Sequence, residues 1–221
     1  MYREFHSKFT AMTAELIDLR RDFHRHPELA FKEVRTAGIV AEHLMGLGLE
    51  VQTEVGLTGV VGLLRGDNPG PILLLRFDMD ALPIQEENDA DYVSTNSGVM
   101  HACGHDGHTA IGLSVATIMA RYREQIHGAL KFVFQPAEEC LGGAQAMIAD
   151  GALTNPDPDY AFGLHLWNSK PVGWVGSTDG PVMAEQIDWN CVISGVGGHA
   201  ALPHLSRDPV VAAAQVVTAT Q

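Results

Sequence analysis

The chain has 221 residues, 46% of them hydrophobic, and its formal net charge of −13 at pH 7 gives a pI near 5.1. The length allows one large domain, or one domain and part of a second, and the acidic balance argues against binding to nucleic acid or an anionic membrane. No apolar run reaches the roughly 18 residues of a membrane span, and the N-terminus lacks a signal-peptide core, so we expect a cytoplasmic protein.

Two amphipathic helices are predicted near the N-terminus. Residues 12–25 have apolar side chains at helical spacing, and Pro27 ends that pattern. A second helix is predicted over 33–47, and Gly46 and Gly48 mark its end.

Three strands are predicted before residue 80. Residues 51–54 and 60–64 form two early strands around a turn at 56–59, and residues 67–70 (Asp-Asn-Pro-Gly) are typical of another turn. Residues 71–77 are a short apolar run of the kind that forms a buried strand in a mostly parallel sheet.

The later part of the chain alternates between helices and strands. An apolar segment over 109–120 predicts a helix with Asp106 as its N-cap. Residues 130–135 and 160–164 predict two further strands. Alternating apolar and polar residues predict a half-exposed strand over 187–196.

The pattern of the chain changes near residues 177–181. The strands and helices predicted before this change favour an α/β fold with a mostly parallel sheet. A helix is predicted from Val210, after an N-cap and a proline, and it has no stop signal before the last residue. We therefore expect either a truncated gene product or a fragment of a longer protein.

The segment from His101 to His108 contains one thiol, three imidazoles and one carboxylate. Such side chains are costly to bury without a partner, and a divalent metal ion is the usual partner for imidazole and thiolate. Cys103 lies two residues before His105, and a metal or the following helix N-terminus would favour its thiolate. His101 and His108 are interpreted as structural or supporting residues. The alternative is a polar loop with ordinary surface histidines.

Further candidate ligands follow the predicted strands. Ligands of open α/β sheets lie outside the carboxyl ends of the strands, so side chains at these ends are expected to meet at one edge, close to the Cys103 loop. The side chains in question are Asp78, Asp80, Glu138, Glu139 and His165.

Simpler interpretations of these positions remain open. Glu138 and Glu139 could be a solvated acidic pair at the start of a helix, and His165 could be a core histidine. Two ionised neighbours repel each other, and a metal bound to one glutamate would relieve that cost while the other accepts a proton. We assign no chemistry to His24 and His26.

Six motifs together resemble the M20 metallopeptidase family, and within it the branch of hippurate hydrolases, N-acyl-amino-acid amidohydrolases and auxin-conjugate hydrolases. The resemblance covers essentially the whole chain. It implies a dinuclear metal site in an α/β catalytic domain, here expected over 1–183, followed over 184–221 by the incomplete beginning of a smaller α+β lid domain that often mediates dimerisation. The motifs lie, in order, at residues 23–29, 78–83, 101–108, 135–139, 163–165 and 197–204.

The resemblance also implies roles for individual residues. Asp78 departs from the wider family, where a histidine ligand is usual, and its role stays open, although the amidohydrolase branch has the same Asp-Met-Asp pattern. The implied roles are metal ligands for Cys103, His105, Glu139 and His165, general base for Glu138, orientation of a ligand for Asp80, and stabilisation of the oxyanion for His199, a histidine of the lid.

The function implied is hydrolysis of the amide bond of N-acyl amino acids by a water that two divalent metal ions activate. Manganese or zinc is expected, and nickel or cobalt would also suit a site with a thiolate ligand. The expected partners are the small-molecule substrate and, through the lid, a second copy of the chain. One alternative is a dipeptidase or carboxypeptidase with the same machinery. The other alternative is an inactive remnant that only dimerises. Relatives of the family continue into the rest of the lid and contribute a last histidine ligand, so we expect residues 1–221 alone to be inactive.

Overall fold

The structure is a computed structural model, and it describes residues 2–139, 142–184, 187 and 189–220. Its contacts divide the chain into two units, 1–169 and 170–221. The domain boundary after residue 183 stays a prediction.

The first unit is built from helices and strands that alternate along the chain. The predicted elements up to residue 164 are present with bounds shifted by a few residues, whereas α1 and α5 were not predicted from the sequence. None of the described helices combines the length and apolar character needed to cross a membrane. The elements are α1 (Tyr2–Ala11), α2 (Thr13–Arg25), α3 (Val34–Gly46), β1 (Glu50–Val55), β2 (Gly59–Arg65), β3 (Asn68–Asp78), α4 (His105–Ala120), β4 (His127–Gln135), α5 (Gly143–Ala149) and β5 (Tyr160–Gly163).

The five strands form one sheet in the order β1-β2-β4-β3-β5. β3 runs parallel to β4 and to β5, whereas β2 pairs antiparallel with both β1 and β4. The α/β fold is therefore confirmed with a mixed sheet, whose parallel part is β4-β3-β5. Because these three strands are parallel, their carboxyl ends lie at the same edge of the sheet.

The start of β3 differs from its prediction. Residues 67–70 were predicted as a turn, but β3 already begins at Asn68, which pairs with His127. The register then shifts before Ile72 pairs with Ala129, so the Pro-Gly pair lies in an irregular part of the ladder. A Cβ on Gly70 would lie 2.6 Å from the carbonyl carbon of His127, which explains why only glycine fits this close approach of two chains.

Packing of α4 against the sheet fixes the edge at which the candidate ligands lie. The rings of Phe77 and Phe134, on neighbouring parallel strands, are buried with their centroids 5.4 Å apart. Gly112 of α4 faces them, and a Cβ there would lie 2.7 Å from Phe77 and 2.9 Å from Phe134. This close approach brings the start of α4 to the carboxyl end of β3.

The second unit contains the helix α6 (Pro209–Ala219). As predicted, the Asp208 side chain caps this helix by accepting the Val210 N–H at 2.8 Å. The strand predicted over 187–196 is wrong for its described residues, because Val196 makes only an isolated bridge with Arg207. A strand needs a partner along its length, and the alternating pattern alone does not supply one. Asp188 and Gln221 lie outside the described residues.

Candidate functional site

Side chains from four segments of the first unit meet at the carboxyl ends of β3, β4 and β5. Among the described residues, three groups each place one potential ligand atom per residue, all within 4.8 Å of one another. His105, the first residue of α4, belongs to all three and is therefore the centre of the cluster. The groups are Cys103–His105–His165, His105–Glu138–Glu139 and Asp78–His105–His108.

His105 is held in one orientation by Asp80. Its Nδ1 lies 2.9 Å from the Asp80 carbonyl oxygen and 3.2 Å from the carboxylate oxygen Oδ1 of the same residue. A carbonyl oxygen can only accept, so Nδ1 donates and Nε2 faces the other acids. Nε2 lies 3.8 Å from Glu139 and 3.9 Å from Glu138, and it is buried without a hydrogen-bond partner among the described residues.

The electrostatic surroundings of His105 favour a positive charge. Burial lowers the pKa of its imidazole, but hydrogen bonding to Asp80, the nearby Cys103 side chain and the charges of Asp78 and Asp80 outweigh burial and raise that pKa to about 11. A buried imidazole among carboxylates therefore attracts either a proton or a metal cation to Nε2.

His165 and Cys103 form the second part of the cluster. Nδ1 of His165 lies 2.6 Å from the carbonyl oxygen of Leu166, so Nδ1 donates and Nε2 is left for a ligand. That Nε2 lies 3.4 Å from Sγ of Cys103, a free cysteine of intermediate exposure. Imidazole nitrogen and thiolate are the preferred donors of zinc and similar ions.

The two adjacent glutamates have different surroundings. Oε1 of Glu139 is buried without a hydrogen-bond partner in the described part of the chain, and the Glu139 N–H donates to Asp80 at 3.1 Å. The Glu138 side chain is 38% exposed. Burial and the charge of Asp78 raise the pKa of Glu138, against the opposing charge of Arg76. A carboxyl group with a raised pKa suits proton transfer near neutral pH.

The described residues fit divalent metal ions. His105 Nε2 and Glu139 Oε1 are buried polar atoms without hydrogen bonds among the described residues, and such atoms usually have an ion or water as partner. Together with the Cys103 thiol and His165 Nε2 they give a mixed nitrogen, sulfur and oxygen donor set, with the tautomers of both histidines set by hydrogen bonds.

Sequence reasoning missed Arg76, which lies in β3. Its Nη1 is 2.7 Å from the buried Asp78 carboxylate, and its Nη2 is 4.0 Å from Glu138. Burial opposes the charge on Asp78, but the hydrogen bond from His108 and the nearby positive charges lower the Asp78 pKa to about 2. The available signal was an arginine inside an otherwise apolar strand, which is expensive unless it has a partner.

His24, to which the sequence assigned no chemistry, joins α2 to α4. Its Nδ1 lies 2.6 Å from Asp106 and its Nε2 lies 3.0 Å from Glu86, so both ring nitrogens face carboxylates. Arg20 adds an ion pair to Asp106 at 2.9 Å. The prediction of Asp106 as N-cap is wrong, because Gly104 occupies that position and the Asp106 carboxylate is committed to this network.

We predict that the His24 network makes stability depend on pH. The hydrogen bond to Asp106 raises the pKa of His24 against burial, so its stabilisation is full below the unfolded value of about 6.5 and is lost as pH rises through the folded pKa. In urea unfolding measured across this range, His24→Gln should be less stable than wild type at pH 6, and the difference should shrink at higher pH. His26→Gln, a partly exposed neighbour, is the control. A constant difference between His24→Gln and wild type would contradict a charged His24.

His199 lies in the second unit, where its side chain is exposed and its Nδ1 accepts the Ala201 N–H at 3.1 Å. Its role as an oxyanion donor stays a prediction, as do the roles assigned to the clustered residues of the first unit.

The chain matches known proteins over most of its length. The model of Peptidase family M20/M25/M40 matches residues 74–221. An N-acyl-L-amino acid amidohydrolase of Geobacillus stearothermophilus is 44% identical over 94% of this chain and 56% of its own length. Hippurate hydrolase of Campylobacter jejuni is 43% identical over 95% of this chain and 54% of its own length. Thermostable carboxypeptidase 2 of Saccharolobus solfataricus is 44% identical over 92% of this chain and 52% of its own length. The chain thus spans about half the length of these curated relatives.

Two solved structures are similar to this fold. The YxeP protein of Bacillus subtilis, a dinuclear metal binding peptidase of the M20 family, has a TM-score of 0.73 and 39% identity over 78% of this chain and 48% of its own. A structure from methicillin-resistant Staphylococcus aureus has a TM-score of 0.82 and 34% identity, over 99% of this chain and 58% of its own.

Proposed function

This chain belongs to peptidase family M20/M25/M40, and on that premise we propose that it forms the metal-binding part of an enzyme that hydrolyses the amide bond of N-acyl amino acids. The observation that carries the proposal is the cluster of donor atoms around His105 at the carboxyl ends of three parallel strands. The names of the amidohydrolase and hippurate hydrolase relatives support the choice of substrate class.

Four residues would hold two divalent cations: Cys103, His105, Glu139 and His165. Manganese or zinc is the first choice, and nickel or cobalt also suits the donor set. Bound there, the cations supply Lewis-acid chemistry that lowers the pKa of a water and polarises the amide carbonyl. Asp80 would keep the site ordered, because it receives hydrogen bonds from the His105 ring and from the Glu139 N–H.

Glu138 would act as the general base. Its carboxylate is partly exposed next to the donor atoms, and its raised pKa lets it take a proton from the attacking water and then give that proton to the leaving amine nitrogen. The guanidinium of Arg76, 4.0 Å away, lowers the Glu138 pKa against the effect of burial and so favours the ionised form that accepts a proton.

The second part of the chain enters the proposal as the start of a lid. We assign 1–183 to the catalytic domain and 184–221 to the lid, in which His199 would donate to the developing oxyanion, a contribution of about 3 kcal/mol. Exposed valines at 192, 210, 211 and 217 are candidates for the surface that pairs with a second copy of the chain.

A carboxypeptidase is the second candidate function, favoured by the similarity to the Saccharolobus carboxypeptidase. Both substrates are amides of an amino acid with a free carboxylate, so the same base and metal ions would serve either reaction.

An assay of the protein as its gene encodes it separates the candidates. With manganese or zinc present, we expect release of glycine from hippurate and of amino acids from N-acetyl derivatives, and loss of both activities on chelation. A preference for peptides would favour the carboxypeptidase. Turnover that survives complete removal of metal would contradict the proposed site, and absence of turnover on every substrate would favour an inactive, dimerising chain.

A further inference from the structure

Asp78 and His108 form a buried pair beside the proposed metal ligands, and the mechanism above gives neither a role. Asp78 ends β3 and is 1% exposed, and His108 lies in the first turn of α4 and is 0% exposed. Nδ1 of His108 lies 2.5 Å from Oδ1 of Asp78. A buried carboxylate is stable only when other groups hydrogen-bond to it or balance its charge, and His108 is one such partner of Asp78.

His108 uses both of its ring nitrogens. The backbone N–H of Leu166 donates to His108 Nε2 at 2.8 Å. Because an amide N–H can only donate, Nε2 accepts, and the ring proton lies on Nδ1 and is donated to Asp78. His108 therefore has no lone pair left for a metal ion, although it belongs to one of the three groups of potential ligands.

Leu166 connects His108 to His165 by hydrogen bonds of its backbone. Its N–H is bound by His108, and its carbonyl oxygen accepts from Nδ1 of His165 at 2.6 Å. The rings of His108 and His165 also meet edge to face, with centroids 4.8 Å apart. The result is a continuous chain of contacts from Asp78 through His108 and Leu166 to His165, whose Nε2 faces Cys103.

A glycine in α4 supports the same docking. A Cβ on Gly107 would lie 2.5 Å from Cδ1 of Leu166, so the leucine side chain packs directly on the backbone of the first turn. The strand β5 and His165 itself are otherwise exposed. The rings of Trp167 and His105 also lie near the His165 ring, with centroids 5.7 and 6.3 Å away, whereas the hydrogen bond of its Nδ1 goes to the Leu166 carbonyl oxygen.

We propose that Asp78 and His108 are positioning residues, which hold Leu166 so that His165 presents Nε2 to a metal ion shared with Cys103. The inference rests on the proposed metal site. Arg76 supports the pair by its ion pair with Asp78 at 2.7 Å. Without the His108 acceptor, the Leu166 peptide would lose its anchor, the His165 ring would gain freedom, and metal affinity would fall although all four ligands remain.

Cadmium binding tests this inference without measuring catalysis. Cd²⁺ bound to a thiolate gives a charge-transfer absorption in the ultraviolet, which reports the Cys103 side of the site. We expect His108→Leu to weaken Cd²⁺ binding by about 10- to 100-fold and to reduce the absorption per bound ion. His108→Gln should restore part of both, because its amide oxygen can accept the Leu166 N–H in place of Nε2. His26→Gln is the matched histidine control and should bind as wild type does.

Asp78→Asn separates positioning from direct ligation. The asparagine oxygen can still accept from His108, so this variant should retain more Cd²⁺ affinity than His108→Leu. Loss of binding in Asp78→Asn with normal binding in His108→Leu would overturn the inference and make Asp78 a ligand. Wild-type affinity in a folded His108→Leu would also overturn it. If His108→Leu does not fold, His108→Gln replaces it in the test. Cys103→Ala, which lacks the thiolate ligand, serves as the reference for a damaged site. A Cd²⁺ affinity of His108→Gln no higher than that of Cys103→Ala would overturn the inference. Absence of thiolate absorption in wild type would instead overturn the metal site itself, and the inference with it.

Discussion

Glu138→Gln is expected to reduce turnover of an N-acyl amino acid by about 100- to 10,000-fold while leaving the bound metal unchanged. The substitution keeps the size and polarity of the side chain and removes only its ability to accept a proton. Glu138 is partly exposed and its pKa is raised, as suits a proton carrier, whereas the adjacent Glu139 has a buried oxygen without a hydrogen bond among the described residues.

Glu139→Gln is the matched control for this experiment, because it makes the same chemical change one residue away. It should deplete metal, and its turnover should recover in part when metal is added in excess. Metal analysis and steady-state kinetics of the two variants side by side decide the assignment. If Glu138→Gln lost metal and Glu139→Gln kept it, the two roles would have to be exchanged.

His105→Ala is expected to have the largest effect on metal binding, because His105 belongs to all three groups of potential ligands found in the described part of the chain. Removal of the His105 imidazole should weaken metal binding by more than about 100-fold, which is the upper range for removal of a residue that only supports a ligand. Stability should fall as well, since the carbonyl and carboxylate oxygens of Asp80 would lose the buried hydrogen-bond donor that the His105 ring supplies.

Calorimetric titration with Mn²⁺ or Zn²⁺, together with thermal unfolding, measures both effects. His26→Ala is the control for removal of a histidine outside the cluster. Retention of wild-type metal affinity by a folded His105→Ala would contradict the central position of this residue in the site.

The elements that position the site could be predicted because their patterns are local. The apolar run before Asp78 and the β-prone run before Glu138 each define a strand, and parallel pairing then brings their ends together. The two element predictions that were wrong concern segments whose structure is decided by the backbone that pairs with them. The turn predicted at 67–70 became part of β3 because His127 pairs with Asn68, and the strand predicted over 187–196 has only an isolated bridge.

The side chains that surround the cluster could not be predicted in the same way. The contact between Asp78 and His108 spans 30 residues of sequence, and the contact between His108 and Leu166 spans 58. The hydrogen bonds of Leu166 to His108 and His165 are made by its backbone, which carries no sequence signal. Asp106 is another residue whose contacts the sequence does not predict. Its position before an apolar helix suggests an N-cap, whereas its contacts with His24 and Arg20 form only when distant segments of the chain come together.

Anomalous diffraction from crystals grown with Mn²⁺ or Zn²⁺ would test the metal site most directly. We predict two peaks in the cluster, with Nε2 of His105 and Nε2 of His165 among the bonded atoms at roughly 2.0–2.2 Å and Sγ of Cys103 at about 2.3 Å. Glu138 should not be bonded to a metal through both oxygens, since it must remain free to accept a proton. Metal bound elsewhere, or a well-ordered cluster without metal at saturating concentration, would contradict the account.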